Sequence, residues 1–392
     1  MLRIFDRNNN IAILIAGIFS IIIGLGVARF AFTGLIPAML DDYLSIKFVG
    51  ILASLNFAGY LAGSIFSIFV KDINFKVYLY RMGVFLAIST TFILAFSSND
   101  TLWLIGRVLG GFAGAMCLII GTSIVMQKLT IKSKTKAMGI HFSGIGFSIL
   151  TTDLLARFVL SLDCSWRDAW FVLTIFALIL SFYSVYILSF DKEVKQNAVK
   201  VRFDFSIFTP FVIVLIIAYF TEGVGFVVQA TFLPDIINNL EGLDGFGGIT
   251  WTLVGVAGIP SCIIWMLLAH RFGSSNIIII ALLLQAVGIL IPVLSSNVYL
   301  NLLSGVLYGG TFIGLVALFM NLGGQLSKGN PVVLMGAMTS SYGIGQVIAP
   351  LYSIYFIEKY GNYDYALILT AFIVVAGAIL LLLAKKFEPE ID

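Results

Sequence analysis

From Ile11 to Met39 the chain is apolar with a single charged interruption, Arg29. About 20 apolar residues suffice for a helix to cross a bilayer, and this run is longer. Similar runs recur along all 392 residues, 60% of which are hydrophobic and only 11% charged. A soluble domain carries about 25% charged residues. The mean hydropathy of +1.05 therefore belongs to an integral membrane protein. The runs are too long for the short alternating strands of an outer-membrane barrel, so an all-α fold is predicted. The net charge of +3 is small and sits in loops, which gives no reason to expect nucleic acid. Cys117, Cys164 and Cys262 lie far apart without a CxxC. They are expected to be packing residues, with no disulfide framework and no metal site. Gly24 and Gly26 follow no strand and make no phosphate loop, so no cofactor is expected.

The apolar runs divide into twelve predicted spans: Ile11–Leu40, Phe48–Val70, Val77–Ser97, Thr101–Met126, Lys136–Leu160, Ala169–Phe190, Phe208–Ile237, Gly248–His270, Asn276–Leu294, Val298–Leu322, Val332–Ile357 and Tyr365–Lys385. The first run is too long for a signal-peptide core and has no small-residue cleavage site, so it is expected to stay as a membrane helix. The polar, basic stretch after the sixth span is too short for a domain. The expected organisation is a first six-helix bundle over 1–190, a cytoplasmic linker over 191–206 and a second six-helix bundle over 207–392. With both termini cytoplasmic, most basic residues fall on the inner side, and only Lys47, Arg157, Arg167 and Lys359 fall outside. The positive-inside rule favours that orientation, and it requires an even number of spans.

The two halves repeat each other. Leu35-Ile36-Pro37 matches Phe232-Leu233-Pro234 at an offset of 197. Gly106-Arg107-Val108-Leu109-Gly110-Gly111 matches Gly305-Val306-Leu307-Tyr308-Gly309-Gly310 at an offset of 199. Ala137-Met138-Gly139 and Gly144-Ile145-Gly146 find partners in Leu334-Met335-Gly336 and Gly343-Ile344-Gly345. A parallel repeat of this kind implies two pseudo-symmetric bundles with a site at their interface near mid-membrane.

Twelve spans as six plus six, both termini inside and a basic central linker resemble the major facilitator superfamily. The local motifs support the resemblance unevenly. Of that family's loop between spans two and three, Lys71, Asp72 and Lys76 remain; the second-half counterpart, His270-Arg271-Phe272-Gly273, is closer. Asp72 and Arg271 are the gating-loop residues that the resemblance implies. Span four resembles the family's arginine motif, with Gly106-Arg107 followed by Gly110, Gly111 and Gly114. The fifth span lacks the proline of the antiporter-type motif, which weakens a drug-antiporter reading. A finer resemblance is to the bacterial YbfB/YjiJ-type transporters. It rests on Arg29-Phe30-Ala31-Phe32-Thr33, His141-Phe142-Ser143-Gly144, Glu222-Gly223-Val224-Gly225-Phe226, Thr231-Phe232-Leu233-Pro234, Gly309-Gly310-Thr311-Phe312, and Tyr342-Gly343-Ile344-Gly345-Gln346 with Pro350. It implies a monomeric transporter in a bacterial inner membrane whose spans one, four, seven and ten line a central cavity.

The residues that could carry chemistry are few. A charge at membrane depth is costly and defaults to a site hypothesis; Arg29, Arg107 and Glu222 are the clear cases. Leu25 and Arg29, four apart, share a helix face. The repeat places Glu222 at the position of Leu25, so Glu222 and Arg29 are expected on equivalent faces, with Gln229 two turns beyond Glu222. Two readings of Arg29 and Glu222 stand side by side. One is a structural ion pair, since buried charges are normally paired. The other is a cycle in which an incoming anion takes over Arg29, and Glu222, left alone in a low dielectric, takes up a proton. Arginine suits carboxylate or phosphate because its planar fork binds two oxygens together. For Arg107, packing and function weigh equally. His141 is a packing residue, a second proton site or a substrate donor. Thr33, Tyr308, Thr311 and Gln346 are uncharged candidates for substrate hydrogen bonds. Trp166-Arg167-Asp168 is expected to anchor the start of span six at the interface.

These features predict a secondary active transporter, not an enzyme. It would carry a small organic anion, with a carboxylate the expected class, by proton-coupled alternating access. An exporter of drugs or metabolites is the alternative. A non-transporting sensor lacks a signalling domain, and an intramembrane enzyme lacks a cluster of His, Asp or Cys.

Overall fold

In the computed structural model, residues 5–130, 134–189, 205–327 and 331–389 are described. Among them the chain forms twelve long helices and no strand. They are α1 Asn10–Leu40, α2 Ile46–Phe69, α3 Ile73–Phe96, α4 Asp100–Lys128, α5 Lys134–Leu160, α6 Trp166–Ile187, α7 Pro210–Asn238, α8 Phe246–Phe272, α9 Ser274–Leu294, α10 Val298–Leu326, α11 Pro331–Tyr360 and α12 Asp364–Ala384. Eleven of them are long and apolar enough to cross a membrane. The remaining one, α11, is 30 residues long, and its described part includes the polar run Thr339-Ser340-Ser341 and Gln346. The boundaries expected from hydropathy shift by a few residues where a cap sets the helix start. Asp72 accepts a hydrogen bond from the Phe75 amide at 2.7 Å, so α3 begins before Val77. Thr209 caps α7 in the same way, ahead of Pro210. Such caps satisfy the donors that a helix start leaves open. Residues 191–204 of the expected linker lie outside the described residues.

The chain divides into two compact units, one of Met1–Tyr43 with Leu55–Val199 and one of Leu44–Ser54 with Lys200–Asp392. In both, the largest buried side chains are aromatic, Trp103 and Trp170 in the first and Trp251 and Tyr219 in the second. Phe85, Phe182, Leu294 and Leu383 are exposed, as expected where lipid is the solvent. Cys117 and Cys262 are buried, but Cys164 is exposed; it stands in the polar turn before α6 and not among packed helices.

The repeat is legible in the packing. A Cβ on Gly111 of α4 would lie 1.8 Å from the Asn56 carbonyl oxygen of α2. In the second unit a Cβ on Gly309 of α10 would lie 2.2 Å from the Val254 carbonyl oxygen of α8. Both members of this pair are offset by 198, one less than the motif match that aligns Gly111 with Gly310. Small residues let membrane helices approach backbone to backbone, where dispersion supplies the attraction.

The start of the sixth helix of each unit also holds the end of the first. Trp166 Nε1 donates to Asp42 Oδ2 at 2.9 Å. In the second unit the Tyr363 hydroxyl, just ahead of α12, donates to Asp235 of α7. Burial and the Asp235 carboxylate both raise the Tyr363 pKa, so the phenol remains the donor. Beside Asp42, the Tyr43 hydroxyl donates to Asp100 Oδ1 at 2.8 Å and its ring stacks on Trp166 at 5.9 Å.

Two predictions follow from these contacts. Gly309→Val forces a branched side chain into a carbonyl that cannot move aside, at a cost of about 1–3 kcal/mol; the apparent unfolding temperature of the purified protein should fall. Partial burial, then Asp100, raises the Tyr43 phenol from 10.0 to about 12. A raised phenol means that above pH 10.0 the unfolded chain loses this proton before the folded one does, so stability falls with rising pH. Its contribution is complete below pH 10.0 and is lost as the pH rises through about 12. Unfolding temperatures across this window should fall less steeply in Tyr43→Phe than in the unsubstituted protein.

Candidate functional site

Two buried arginines of the first unit, Arg29 and Arg107, lie at one irregularity in α1. Between Ile22 and Phe30 the helix is π-helical, with the Ala31 amide reaching back five residues to the Gly26 carbonyl. A second π segment, Met116–Ile120, interrupts α4. The two meet where a Cβ on Gly24 would lie 2.3 Å from the Cys117 Cβ. π segments widen a helix and loosen its hydrogen-bond ladder, and they occur often at functional sites.

Arg29 lies in the last turn of the π segment of α1 and is 7% exposed. Its guanidinium carbon stands 4.3 Å from the Phe57 ring centre and 4.9 Å from that of Tyr60, both on α2. Arg107 of α4 is 3% exposed. Its Nη1 donates to the Ala28 carbonyl at 3.2 Å, and its guanidinium lies 4.2 Å from the Phe32 ring centre. The Arg107 carbonyl in turn accepts from Asn56 Nδ2 at 3.0 Å. Arg107 and Arg29 are close enough to act on one another electrostatically. The unit thus holds two guanidinium groups together in a setting of aromatic rings, where cation–π contacts offset part of the lost hydration. Thr33, one turn beyond Arg29, is also buried.

His141 of α5 is fully buried against α1 and α4. Its Nε2 is 2.9 Å from the Thr122 hydroxyl, and its Nδ1 has no hydrogen-bond partner. Asp72 caps α3, as described above. Arg271 lies in the last turn of α8, its guanidinium 5.1 Å from the Phe272 ring centre.

In the second unit Glu222 is fully buried in the middle of α7. The polar group facing it is the Gln285 amide of α9, yet neither carboxyl oxygen has a hydrogen bond within normal geometry. Gln229 turns to the same helix, its Nε2 donating to the Gly288 carbonyl at 3.3 Å. The cause is covalent. Pro292 has no amide hydrogen to give Gly288, four residues earlier, and the Gln229 amide supplies the missing donor. The shared face expected for Glu222 and Gln229 is therefore the one against α9. The expected equivalence with α1 does not carry through. Leu25 packs on Gly114 of α4, whereas Glu222, at its repeat position, faces α9. α1 is π-helical at this level and α7 is regular throughout, so equal offsets point in different directions.

The uncharged candidates are placed as follows. Tyr308 is buried, its hydroxyl donating to the Phe226 carbonyl at 2.9 Å. Thr311 bonds its own helix at the Leu307 carbonyl, 2.7 Å away. Gln346 of α11 is buried, with its Oε1 unpartnered. Gln285 was not singled out by the sequence. A glutamine in an apolar helix without a charge nearby in sequence carries little signal, and only its placement opposite Glu222 marks it. Among the described residues, no group of three or more His, Cys, Asp or Glu side chains could hold a metal ion.

Arg107→Leu removes a charged donor from the Ala28 carbonyl at the π segment, a loss of about 1.5–3 kcal/mol. The ligand-free protein should unfold at a lower temperature, and Arg107→Lys, which has no planar fork, should recover only part of the difference.

The family model described as uncharacterised MFS-type transporter YbfB matches residues 21–382. The match takes in all but the start of α1 and the end of α12. Among curated proteins none matches the chain.

Proposed function

Since the chain belongs to the family of MFS-type transporters described by YbfB, and is thus a multi-pass membrane transporter, we propose that it carries a small organic anion, a carboxylate, by proton-coupled alternating access. The observation that carries this reading is the pair of guanidinium groups, Arg29 and Arg107, gathered in the interior of the first unit. Two positive charges at membrane depth are costly. An anion that accepts hydrogen bonds from an arginine fork offsets that cost. Of the two, Arg29 is the direct ligand in this reading. Arg107 already donates to the Ala28 carbonyl and supports the segment from which Arg29 projects, adding its charge to the field.

Glu222 is the proton carrier in this proposal. It is the only charged residue between Pro210 and Pro234, and it is fully buried. A carboxyl in such a setting holds a proton when nothing pairs its charge, and in this proposal it gains and loses that proton as the substrate binds and leaves. His141, with its unpartnered Nδ1, is the second proton site. Thr33, Gln229, Tyr308, Thr311 and Gln346 are proposed to supply polar contacts once the substrate is bound, and Asp72 and Arg271 to belong to the gating loops. The working unit is a monomer in a bacterial inner membrane with both termini cytoplasmic.

The test is thermal stabilisation of the purified protein by a panel of small mono- and dicarboxylates. A ligand at about 100 times its Kd stabilises by ~2.7 kcal/mol. Stabilisation by a carboxylate, lost in Arg29→Ala, is the expected outcome. The hit should then enter proteoliposomes against an imposed pH gradient, and Glu222→Gln should abolish the response to that gradient. Stabilisation by apolar cations instead, unchanged in Arg29→Ala, would favour an exporter with a structural Arg29.

A further inference from the structure

The second unit contains more unsatisfied buried polar atoms than a transport site at Arg29 explains. Both carboxyl oxygens of Glu222, both amide atoms of Gln285, Gln229 Oε1 and Asn301 Oδ1 have no hydrogen-bond partner. All four residues are at most 1% exposed. Native interiors pair nearly all such groups, and each exception calls for a reason.

These exceptions form a string. Gln285 faces Glu222, and its Oε1 rests over Gly225, 3.2 Å from where a Cβ would be. One turn further along α9, the Gly288 carbonyl receives Gln229 Nε2. The same nitrogen is 3.4 Å from the Ser304 hydroxyl of α10. One turn back along α10 stands Asn301, whose Nδ2 donates to the carbonyls of Ser295 at 2.7 Å and Asn297 at 3.0 Å. Asn297 is exposed in the turn between α9 and α10. The string thus leads from the middle of α7 to the surface, inside one unit, and Gln285, Gln229 and Asn301 each leave a polar atom over.

The elements packed on α7 carry charge only near their ends: α8 has His270 and Arg271 in its last turn, and Lys385 and Lys386 follow α12. α9 and α10 contain no charged residue, α7 adds only Asp235 near its far end, and α12 only Asp364 at its start. α11 packs on α7 where a Cβ on Gly223 would lie 2.2 Å from the Tyr342 carbonyl; its charged residues, Glu358 and Lys359, are at its end. Among the phenols on these elements, Tyr219, Tyr308 and Tyr342 are buried. Buried water bridges leftover donors and acceptors where it finds two to four polar partners, and the string offers them in sequence.

We propose that Glu222 exchanges its proton with solvent at the α9–α10 turn through bridging waters held by Gln285, Gln229, Ser304 and Asn301. Each water takes a proton on one side and releases one on the other. The waters end unchanged, and the net transfer is one proton between solvent and the Glu222 carboxyl. This deepens the preceding proposal and rests on its assignment of Glu222 as proton carrier. With termini inside, the α9–α10 turn faces outward, so the path delivers external protons.

The experiment is infrared spectroscopy of the full chain in liposomes, switched from light to heavy water. A carboxylic acid band present in the unsubstituted protein and missing in Glu222→Gln identifies the group, and its isotope shift times the exchange. Gln285→Leu replaces the amide that faces Glu222 with an apolar side chain of similar size, so the fold should survive it. Exchange at Glu222 should slow by about tenfold or more, equivalent to at least ~1.4 kcal/mol of added barrier. Asn301→Leu should slow it likewise, and Asn301→Ser, which keeps a polar atom, should slow it less. Unchanged exchange in Gln285→Leu and Asn301→Leu, with the band intact, would overturn the path and leave the proton-carrier assignment standing. No band lost in Glu222→Gln would overturn both. Thermal stabilisation by sodium over choline, lost in Glu222→Gln, would make the string a cation site and overturn the path.

Discussion

A backbone inside a bilayer has no water to turn to, so every amide and carbonyl must find its partner within the protein. Regular helix meets that demand alone, and most of this chain is regular helix. The informative places are those where the ladder is broken. The π segment of α1 lies beside Arg107, which donates to the Ala28 carbonyl. Pro292 deprives the Gly288 carbonyl of its helical donor, and Gln229 replaces it. In both units a polar residue that the sequence marks as unusual is held in place by an irregular backbone.

That link bears on how the candidate residues divide between support and chemistry. Arg107 and Gln229 each make a backbone hydrogen bond that the fold needs, so part of their role is structural. Arg29 is packed among the rings of Phe57 and Tyr60, and Glu222 meets an amide and no formed hydrogen bond. These two are the groups to which the proposed function assigns the anion and the proton. The proposed roles follow that division, and the string from Gln285 to Asn301 extends it to residues that no motif marks.

Much of the architecture was legible in the amino-acid sequence. Twelve helices, their order and their approximate ends follow from hydropathy. The internal repeat follows from glycine-rich motifs, and it reappears as paired close approaches at Gly111 on Asn56 and Gly309 on Val254. The offset of 198 belongs to packing and not to motif letters, because contact depends on which residue faces the neighbour. Cys164 departs from the packing role that its spacing suggests, because a cysteine in a polar turn has nothing to pack into.

The sequence by itself determined the solvent of this protein, the count and order of its helices and the scarcity of charge that makes Arg29, Arg107 and Glu222 conspicuous. These are properties of composition and period, and they are local. Only the tertiary structure decided which way those residues point. A π turn changes the rotation per residue, so the face reached by Leu25 differs from that reached by Glu222 despite their matching places in the repeat. The gathering of Arg29 with Arg107, and of Glu222 with Gln285, joins residues distant along the chain. No local pattern encodes such meetings, because they depend on how whole helices pack.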